Sequence, residues 1–338
     1  MHFALLARPD GYYARDLVRA ATARGHRATV CPFSGLSAAL PTESLLAAGE
    51  VDDPRDVSSA PELRSVDAVI VRTMPPGSLE QVVFRMNALA RLERRGVVVV
   101  NSPRAVECAV DKYLTSALLA DAGLRVPRTV VCETAEAALL ALEQLGGDAL
   151  VKPLFGSEGR GIVRVSDPDL AHRVFRAIER TGGVLYVQEF VPHPGWDLRV
   201  MVLDGRVLGG MRRHARDDYR TNVSLGGRAE VVAVGEREAE VSVRAAMAVG
   251  ARIAGVDLLY RVPPGCKVDG SDPEPYVLEV NGVPGWKAFR EATGLDVADR
   301  LVAAIEASPR TESSVSQFTH AVPSPMRDAR PFPLPGTP

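Results

Sequence analysis

The first hundred residues alternate two periods. HFALLA near the start, RATVCPF from Arg27, VDAVIVR over 66–72 and VVVVN over 97–101 are apolar runs of strand length. Helical patterns over 13–24 and 81–94 separate them and close at Gly25 and Gly96. VDAVIVR is β-branched and bounded by turn residues, as a strand buried in a parallel sheet is. This β-α-β-α order predicts a small doubly wound α/β sheet over 1–102. The Pro-, Asp- and Ser-rich stretch 40–65 reads as loop.

A second block, 103–192, opens with one helical pattern over 103–124, broken at Gly123. A strand VPRTVVC and a helix over 135–145 follow. Strands ALVKPL and GIVRV then flank a glycine-rich turn, before a helix over 169–180 and the strand VLYVQEFV. In a third block, 193–307, strands DLRVMVLD and RVLGGMRRH flank an Asp-Gly turn. An Ala-rich helix over 237–254, strands VDLLYRV and YVLEVN, and a helix over 297–307 complete it. The segment 263–275 reads as an extended hairpin connection. Seven prolines fall in 308–338, a composition that cannot support a packed core and predicts a disordered tail.

Composition narrows the function classes. A net charge of −2 on 338 residues makes no electrostatic case for nucleic acid or a membrane surface. No apolar run reaches the ~18 residues of a membrane span, and MHFALL is too short for a signal-peptide core. The four cysteines are scattered and the six histidines form no H-x-x-x-H pair, so a cytoplasmic protein without a zinc site is expected. Only four of the 40 basic residues are lysines: Lys112, Lys152, Lys267 and Lys287. An arginine-rich composition makes each lysine a position to inspect.

Lys152 stands on the strand before Gly156-Ser157-Glu158-Gly159-Arg160-Gly161. With strands on both sides, this turn is neither a Walker A loop nor a Rossmann turn, both of which lead into a helix. A glycine hairpin can fold over phosphates, or it can be a plain β-turn. Lys152 and Lys112 can reach phosphates as point charges, or stand as solvated cations. Glu279 and Asn281 project from one strand face, and Asp257 lies in the apolar strand GVDLLY. Two carboxylates and an amide oxygen suit Mg²⁺, or Glu279 can pair with an arginine. Arg199, Arg212, Arg213 and Arg220 cluster in the third block, where they can meet phosphate or carboxylate, or face solvent.

The order of these motifs resembles the ATP-grasp superfamily and, within it, the RimK-type ligases. The matching stretches are VDKYLTSALLADAGLRVPRT, VKPLFGSEGRG, VQEFV, GWDLRVMVLDGRVLGGMRR, RTNVSLGGRAE, GVDLL and LEVNGVPGWK, in register from about 100 to 305. The resemblance implies an ATP-grasp fold, mixing α/β and α+β, behind a pre-ATP-grasp domain at 1–102. Lys112 and Lys152 then look like the nucleotide-phosphate lysines, and Gly156, Ser157, Gly159 and Gly161 like the flexible loop over the phosphates. Glu189, Phe190 and Val191 look like the adenine hinge. Asp257, Glu279 and Asn281 look like the metal triad, holding two Mg²⁺ ions or Mn²⁺. Arg199, Arg213 and Asn222 look like the polar groups around the γ-phosphate and acyl centre, and Asp197 like a contact to ribose or substrate.

The implied reaction joins a carboxylate to an amine through an acylphosphate, with ATP consumed. RimK-type ligases commonly attach L-glutamate. The stretch FRMNALARLERRGVVVVNSPRAVECAVDKY looks most like the branch acting on tetrahydromethanopterin. The alternatives are a protein or peptide C-terminus, coenzyme F420, or a nucleotide-binding module without catalysis. The turn after the triad departs from the common E-V-N-x-S-P-G at Val283. Small-molecule substrates, no nucleic-acid or membrane partner, and a homo-oligomer are compatible with this reading.

Overall fold

A computed structural model describes residues 1–40, 45–47, 62–156, 159–215, 219–221, 228–262 and 274–308. It opens with β1 (His2–Leu6), α1 (Tyr12–Ala23), β2 (Arg27–Cys31), β3 (Leu36–Ala38), β4 (Leu45–Ala47), β5 (Ala68–Val71), α2 (Leu79–Arg94) and β6 (Val98–Val100). Four of these strands pair in parallel in the order β2-β1-β5-β6, the doubly wound sheet the pattern predicts. Alternation along β1 sends Phe3 and Leu5 to the face covered by α1, and Ala4 and Leu6 to the face covered by α2. Inside the expected loop 40–65, β4 pairs with β3 in a small antiparallel ribbon too short to show a period. Residues 41–44 and 48–61 of that stretch lie outside the described residues.

Two helices follow where one is expected: α3 (Pro103–Val110) and α4 (Lys112–Asp121). Asp111 divides them, because its backbone leaves the helical region at φ −91°, ψ 105° and its carboxylate caps Leu114 N–H at 3.0 Å. The chain continues with β7 (Thr129–Cys132), α5 (Ala135–Gln144), β8 (Ala149–Lys152), β9 (Val163–Val165), α6 (Pro168–Arg180) and β10 (Leu185–Glu189). These strands form an antiparallel sheet, β7-β10-β8-β9. The helices α5 and α6 cover one face through Ala138, Leu142, Ala171 and Phe175. Alternation leaves Leu150, Lys152, Tyr186 and Gln188 on the other face.

The last block contains β11 (Trp196–Leu203), β12 (Arg206–His214), β13 (Arg228–Val232), α7 (Glu236–Ala248), β14 (Ile253–Leu259), β15 (Tyr276–Asn281), α8 (Lys287–Thr293) and α9 (Val297–Glu306). Its sheet is antiparallel in the order β13-β12-β11-β14-β15. The helix expected through 254 stops at Ala248, because Gly250 turns the chain at φ +70° and 253–259 pair as a central strand. Neither β13 nor α8 is among the expected elements. The expected hairpin connection falls mostly on 263–273, and the expected disordered tail on 309–338, both outside the described residues.

Two cores hold this sheet. On one face Ala105, Cys108 and Leu119 of α3 and α4 pack with Val200, Val256 and Val280, so these helices join the third sheet although sequence order groups them with the second. On the other face Met201, Leu203 and Ile253 share one core with Phe3 and Leu5 of β1, Leu17 of α1, and Trp286, Phe289 and Leu301. Asn101, at the end of β6, ties the same junction. Its amide nitrogen donates to Ile253 O at 2.7 Å and Gly282 O at 2.5 Å. Its oxygen accepts from Arg252 N at 2.8 Å and Ile253 N at 3.0 Å.

Candidate active site

A cleft opens between the second and third sheets, with an empty volume of about 970 Å³ including solvent at its mouth. Leu150 and Ile162 on one side and Val191, Leu259 and Leu278 on the other give it an apolar slot. Lys112, Lys152, Gln188, Asp197 and Glu279 make its polar end. This combination, an apolar slot ending in a few convergent charges, is the usual shape of a small-molecule site.

The two lysines reach the cleft by different routes. Lys152 ends β8, and its ammonium donates to Gln188 Oε1 at 2.6 Å. Gln188 in turn donates to Thr129 Oγ1 at 3.0 Å and Tyr186 Oη at 3.1 Å, so the acceptor is held in place. Burial pulls the Lys152 ammonium down to about 8, against the opposing pull of Glu279. Lys112 is the first residue of α4, so the break at Asp111 sets its direction. Its ammonium donates to Gly156 O at 2.7 Å and pins the base of the glycine-rich turn; burial lowers its proton affinity too. Gly161 is required at the far side of that turn: φ is +73°, and a Cβ would lie 2.9 Å from Pro153 Cγ. Ser157 lies outside the described residues.

Asp257 and Glu279 face each other across β14 and β15, beside a bulge after Asp257. Burial pushes the Asp257 carboxyl up, but Arg199 and Arg213 outweigh it and hold the group below the ordinary carboxylate range. Arg199 grips Asp257 with both ends of its fork, at 2.7 and 2.6 Å, and Arg213 reaches it at 2.9 Å. Burial and the neighbouring Asp257 push Glu279 up, opposed by Lys112, Arg199 and Lys152. Asn281 donates its amide N–H to Gly255 O at 3.2 Å and lies 3.4 Å from Asp257 Oδ2, and its amide oxygen has no bond among the described residues. Two hard carboxylates facing each other, with a spare amide oxygen beside them, fit a divalent cation. Among the described residues no three His, Cys, Asp or Glu side chains gather into a metal cluster, so Asn281 is the third donor such an ion would have here.

Asp197 is not free to meet a substrate as a lone carboxylate. It forms a bidentate pair with Arg213, Nε to Oδ1 at 2.7 Å, and accepts from Thr221 Oγ1 at 2.6 Å. It therefore holds Arg213 against Asp257 and anchors Thr221. Asn222 lies outside the described residues.

At the hinge, Glu189 N–H is bonded to Arg128 O at 2.9 Å and Phe190 N–H to Asp148 O at 3.0 Å. Val191 lines the cleft, and its N–H has no partner among the described residues. The Glu189 carboxylate is a tie rather than a contact group. It accepts from Arg128 Nε at 3.1 Å and pairs with Arg261 at 2.9 Å, across the second and third sheets. The Phe190 ring carries the Arg164 guanidinium at 3.5 Å and meets Tyr219 edge-on at 5.8 Å.

Tyr186, Gln188, His193, Tyr219 and Thr221 also line the cleft and were not among the expected residues. Gln188 had a readable signal, a polar residue inside a strand otherwise buried. Lys287 lies elsewhere, 5.8 Å over the Tyr12 ring.

A family model described as a RimK-like ATP-grasp domain matches residues 109–305, more than half of the chain. The chain belongs to the RimK-like ATP-grasp family. This ATP-grasp chain is 34% identical over 315 residues to the tetrahydromethanopterin:alpha-L-glutamate ligase of Methanosarcina acetivorans, covering 87% of this chain and 95% of the relative. It is 31% identical to a probable alpha-L-glutamate ligase of Syntrophotalea carbinolica, covering 90% and 95%. Among solved structures, the ATP-grasp ligase PsnB complexed with minimal precursor superposes with TM-score 0.65 at 24% identity, over 90% of this chain and 98% of that one. D-cycloserine synthetase DcsG gives 0.64 at 20%, over 90% and 98%. Both likenesses carry the ATP-grasp fold. Among the described residues, no helix is long and apolar enough to cross a membrane.

Proposed function

We propose that the protein is an ATP-dependent carboxylate–amine ligase that adds L-glutamate to a tetrahydromethanopterin-type acceptor. One observation carries the ligase class: Lys112, Lys152 and Glu279, with Asp257 facing Glu279 on the next strand, converge at the polar end of a cleft whose other end is an apolar slot where Val191 N–H has no partner among the described residues. The glutamate and pterin parts rest on the Methanosarcina relative, matched along nearly its whole length.

In this reading the slot takes adenine, with Val191 N–H as donor, and the glycine-rich turn covers the phosphates. Lys112 and Lys152 neutralise phosphate charge. Asp257, Glu279 and Asn281 would hold Mg²⁺, two ions on the family pattern, whose charge would offset that of the phosphates during transfer. The acceptor carboxylate attacks that phosphorus, giving an acylphosphate and ADP. The neutral glutamate amine then attacks the acyl carbon; the C–N bond forms, the C–O bond to phosphate breaks, and phosphate and the amine proton are released. Arg199 and Arg213 are already fixed by carboxylates before any substrate enters, so their charge needs no reorganisation when phosphate arrives. Catalysis is positioning and charge neutralisation, which requires no nucleophilic side chain. The buried free thiols of Cys31 and Cys108 support a cytoplasmic location.

The test is mass spectrometry of products after incubation with ATP, Mg²⁺, glutamate and a panel of acceptors. Glutamate added to the pterin and not to peptides is the expected result. Addition to peptides alone would move the acceptor, and no ADP above background with any pair would remove the ligase reading.

A further inference from the structure

Arg72 follows β5, is 4% exposed, and has no carboxylate within 4.0 Å among the described residues. Among the described residues its side chain makes one hydrogen bond, from Nη2 to Pro284 O at 2.7 Å, and its Nε is buried without a partner. The guanidinium lies 4.1 Å from the Trp286 ring centroid and 4.8 Å from that of Tyr13. Neither ring neutralises it. Burial lowers its proton affinity to about 10, so the charge is held at a cost. The nearby Asp16 accepts from Trp286 Nε1 at 2.9 Å but is engaged by Arg19 at 2.8 Å and Arg290 at 2.5 Å. The other two buried arginines differ. Arg213 has two carboxylates, and Arg85 has no buried nitrogen left unbonded.

The position of Arg72 is as informative as its lack of an anion. Arg72 and Thr73 N–H both bond Leu6 O, at 2.9 and 3.2 Å, so the chains leaving β1 and β5 emerge side by side. The chain runs outward from β1 to β2 on one side and to β5 and β6 on the other, so this is the switch point of the sheet, where open parallel sheets bind ligands. The 12-residue α1 starts there, with no side-chain cap at Gly11 and no acidic residue in its first turn. No carboxylate among the described residues in its own first turn therefore meets its first N–H groups. This end of the sheet also adjoins the proposed reaction centre. A Cβ at Gly255 would meet Pro284 Cβ at 3.2 Å and Arg199 Nε at 3.5 Å, so the residue whose carbonyl holds Arg72 sits beside the arginine that grips Asp257. Tyr13 Oη closes over Gly285, where a Cβ would approach to 2.6 Å.

We propose that the crevice between the ends of β1 and β5 and the 284–286 turn binds a carboxylate of one of the two organic substrates, with Arg72 as its cation and the α1 N-terminus as its second donor. The assignment rests on the ligase reading for the identity of those substrates. The carboxylate belongs either to the incoming glutamate or to the acceptor, and the two sources separate by experiment.

Arg72→Met keeps the stacked length and removes the charge; Arg72→Lys keeps the charge and removes the fork. KM for ATP, for glutamate and for the pterin is measured for each, together with the rise in melting temperature that glutamate or the pterin alone produces. Arg72→Met is expected to raise one organic substrate's KM about 10- to 100-fold, with the ATP value within about twofold, and to abolish that substrate's thermal protection. Arg72→Lys is expected to restore part of both. An effect on glutamate names its carboxylate, and an effect on the pterin names the acceptor's. Unchanged KM and protection for both would overturn the assignment, as would an equal rise for ATP. If Arg72→Met does not fold, an Arg72→Lys enzyme with unchanged KM and protection for both substrates overturns it equally. If the wild type releases no ADP but is protected by a carboxylate substrate through Arg72, the ligase reading falls and this site stands.

Discussion

Asp257 and Glu279 look equivalent in the sequence, two carboxylates on neighbouring strands, and the structure separates them. Asp257 is the shared anion of Arg199 and Arg213; Glu279 is a carboxylate raised by burial and by Asp257. Asp257→Asn should therefore lower both turnover and stability, the latter by about 3 kcal/mol, because the part-buried Arg199 loses its counter-charge and the buried Arg213 keeps only Asp197. Glu279→Gln should abolish turnover while leaving the melting temperature unchanged or raised, since burial and Asp257 together outweigh the pull of Lys112, Arg199 and Lys152 on its charge. Thermal melts beside ADP-release assays decide the point, and equal melting losses in both variants would contradict the ion-pair geometry. Lys152 gives a pH prediction. Its folded value, about 8, lies below the ordinary 10.5, so between those values the unfolded chain holds more protons and stability rises with pH. Below pH 8 the full cost of burying the charge remains, and it fades toward pH 10.5. A bound triphosphate favours the charged form, so ATP binding near pH 8.5 should take up a proton. Calorimetry in buffers of different ionisation enthalpy measures this, and Lys152→Met should lose it. Lysine scarcity made this residue legible. Arg72 was not, because its signal is an unpaired charge, visible only once its surroundings are known.

At the scale of elements, legibility followed local period. The parallel strands, the glycine hairpin between β8 and β9, and the paired strands β14 and β15 are short apolar runs with clear ends, and they stand where the pattern puts them. The misread ends are those where helix formers continue past a break that tertiary pairing decides. Ala-rich 249–254 carries on the composition of α7, yet it must turn at Gly250 to feed the centre of the third sheet. The break at Asp111 is of the same kind and has a function, since it starts a new helix at Lys112 and aims that lysine at Gly156. Asp111→Ala should cost about 1 kcal/mol for the lost cap and raise KM for ATP, because Lys112 loses its fixed origin. Asp111→Asn keeps the capping oxygen and should recover most of both. If Asp111→Ala binds ATP as the wild type does, the break is architectural only.

For the whole molecule, the family match begins at residue 109, and the sequence divides at about 102, so the first hundred residues look separable. Packing says otherwise. Phe3, Leu5 and Leu17 from the N-terminal sheet and its helix share one core with Met201, Leu203 and Ile253 of the third sheet and with Trp286, Phe289 and Leu301. Asn101 adds four hydrogen bonds across the same seam. A chain starting at residue 103 would expose the fully buried Trp286 and Phe289 together with one side of α9, an apolar patch that soluble domains do not carry. Such a fragment should be insoluble, or should bind a hydrophobic dye and show little amide protection in β11 and β14. The intact protein should show those strands protected together with β1 and β5, because no seam between them can open without uncovering the shared core. Asn101→Ala leaves two carbonyls and two N–H groups of that seam without their partners, and should cost about 2–4 kcal/mol while lowering protection in β1 and β14 together. Protection lost in β1 alone, with β14 and β15 retained, would show that the N-terminal sheet unfolds on its own and that the nucleotide cleft does not depend on it.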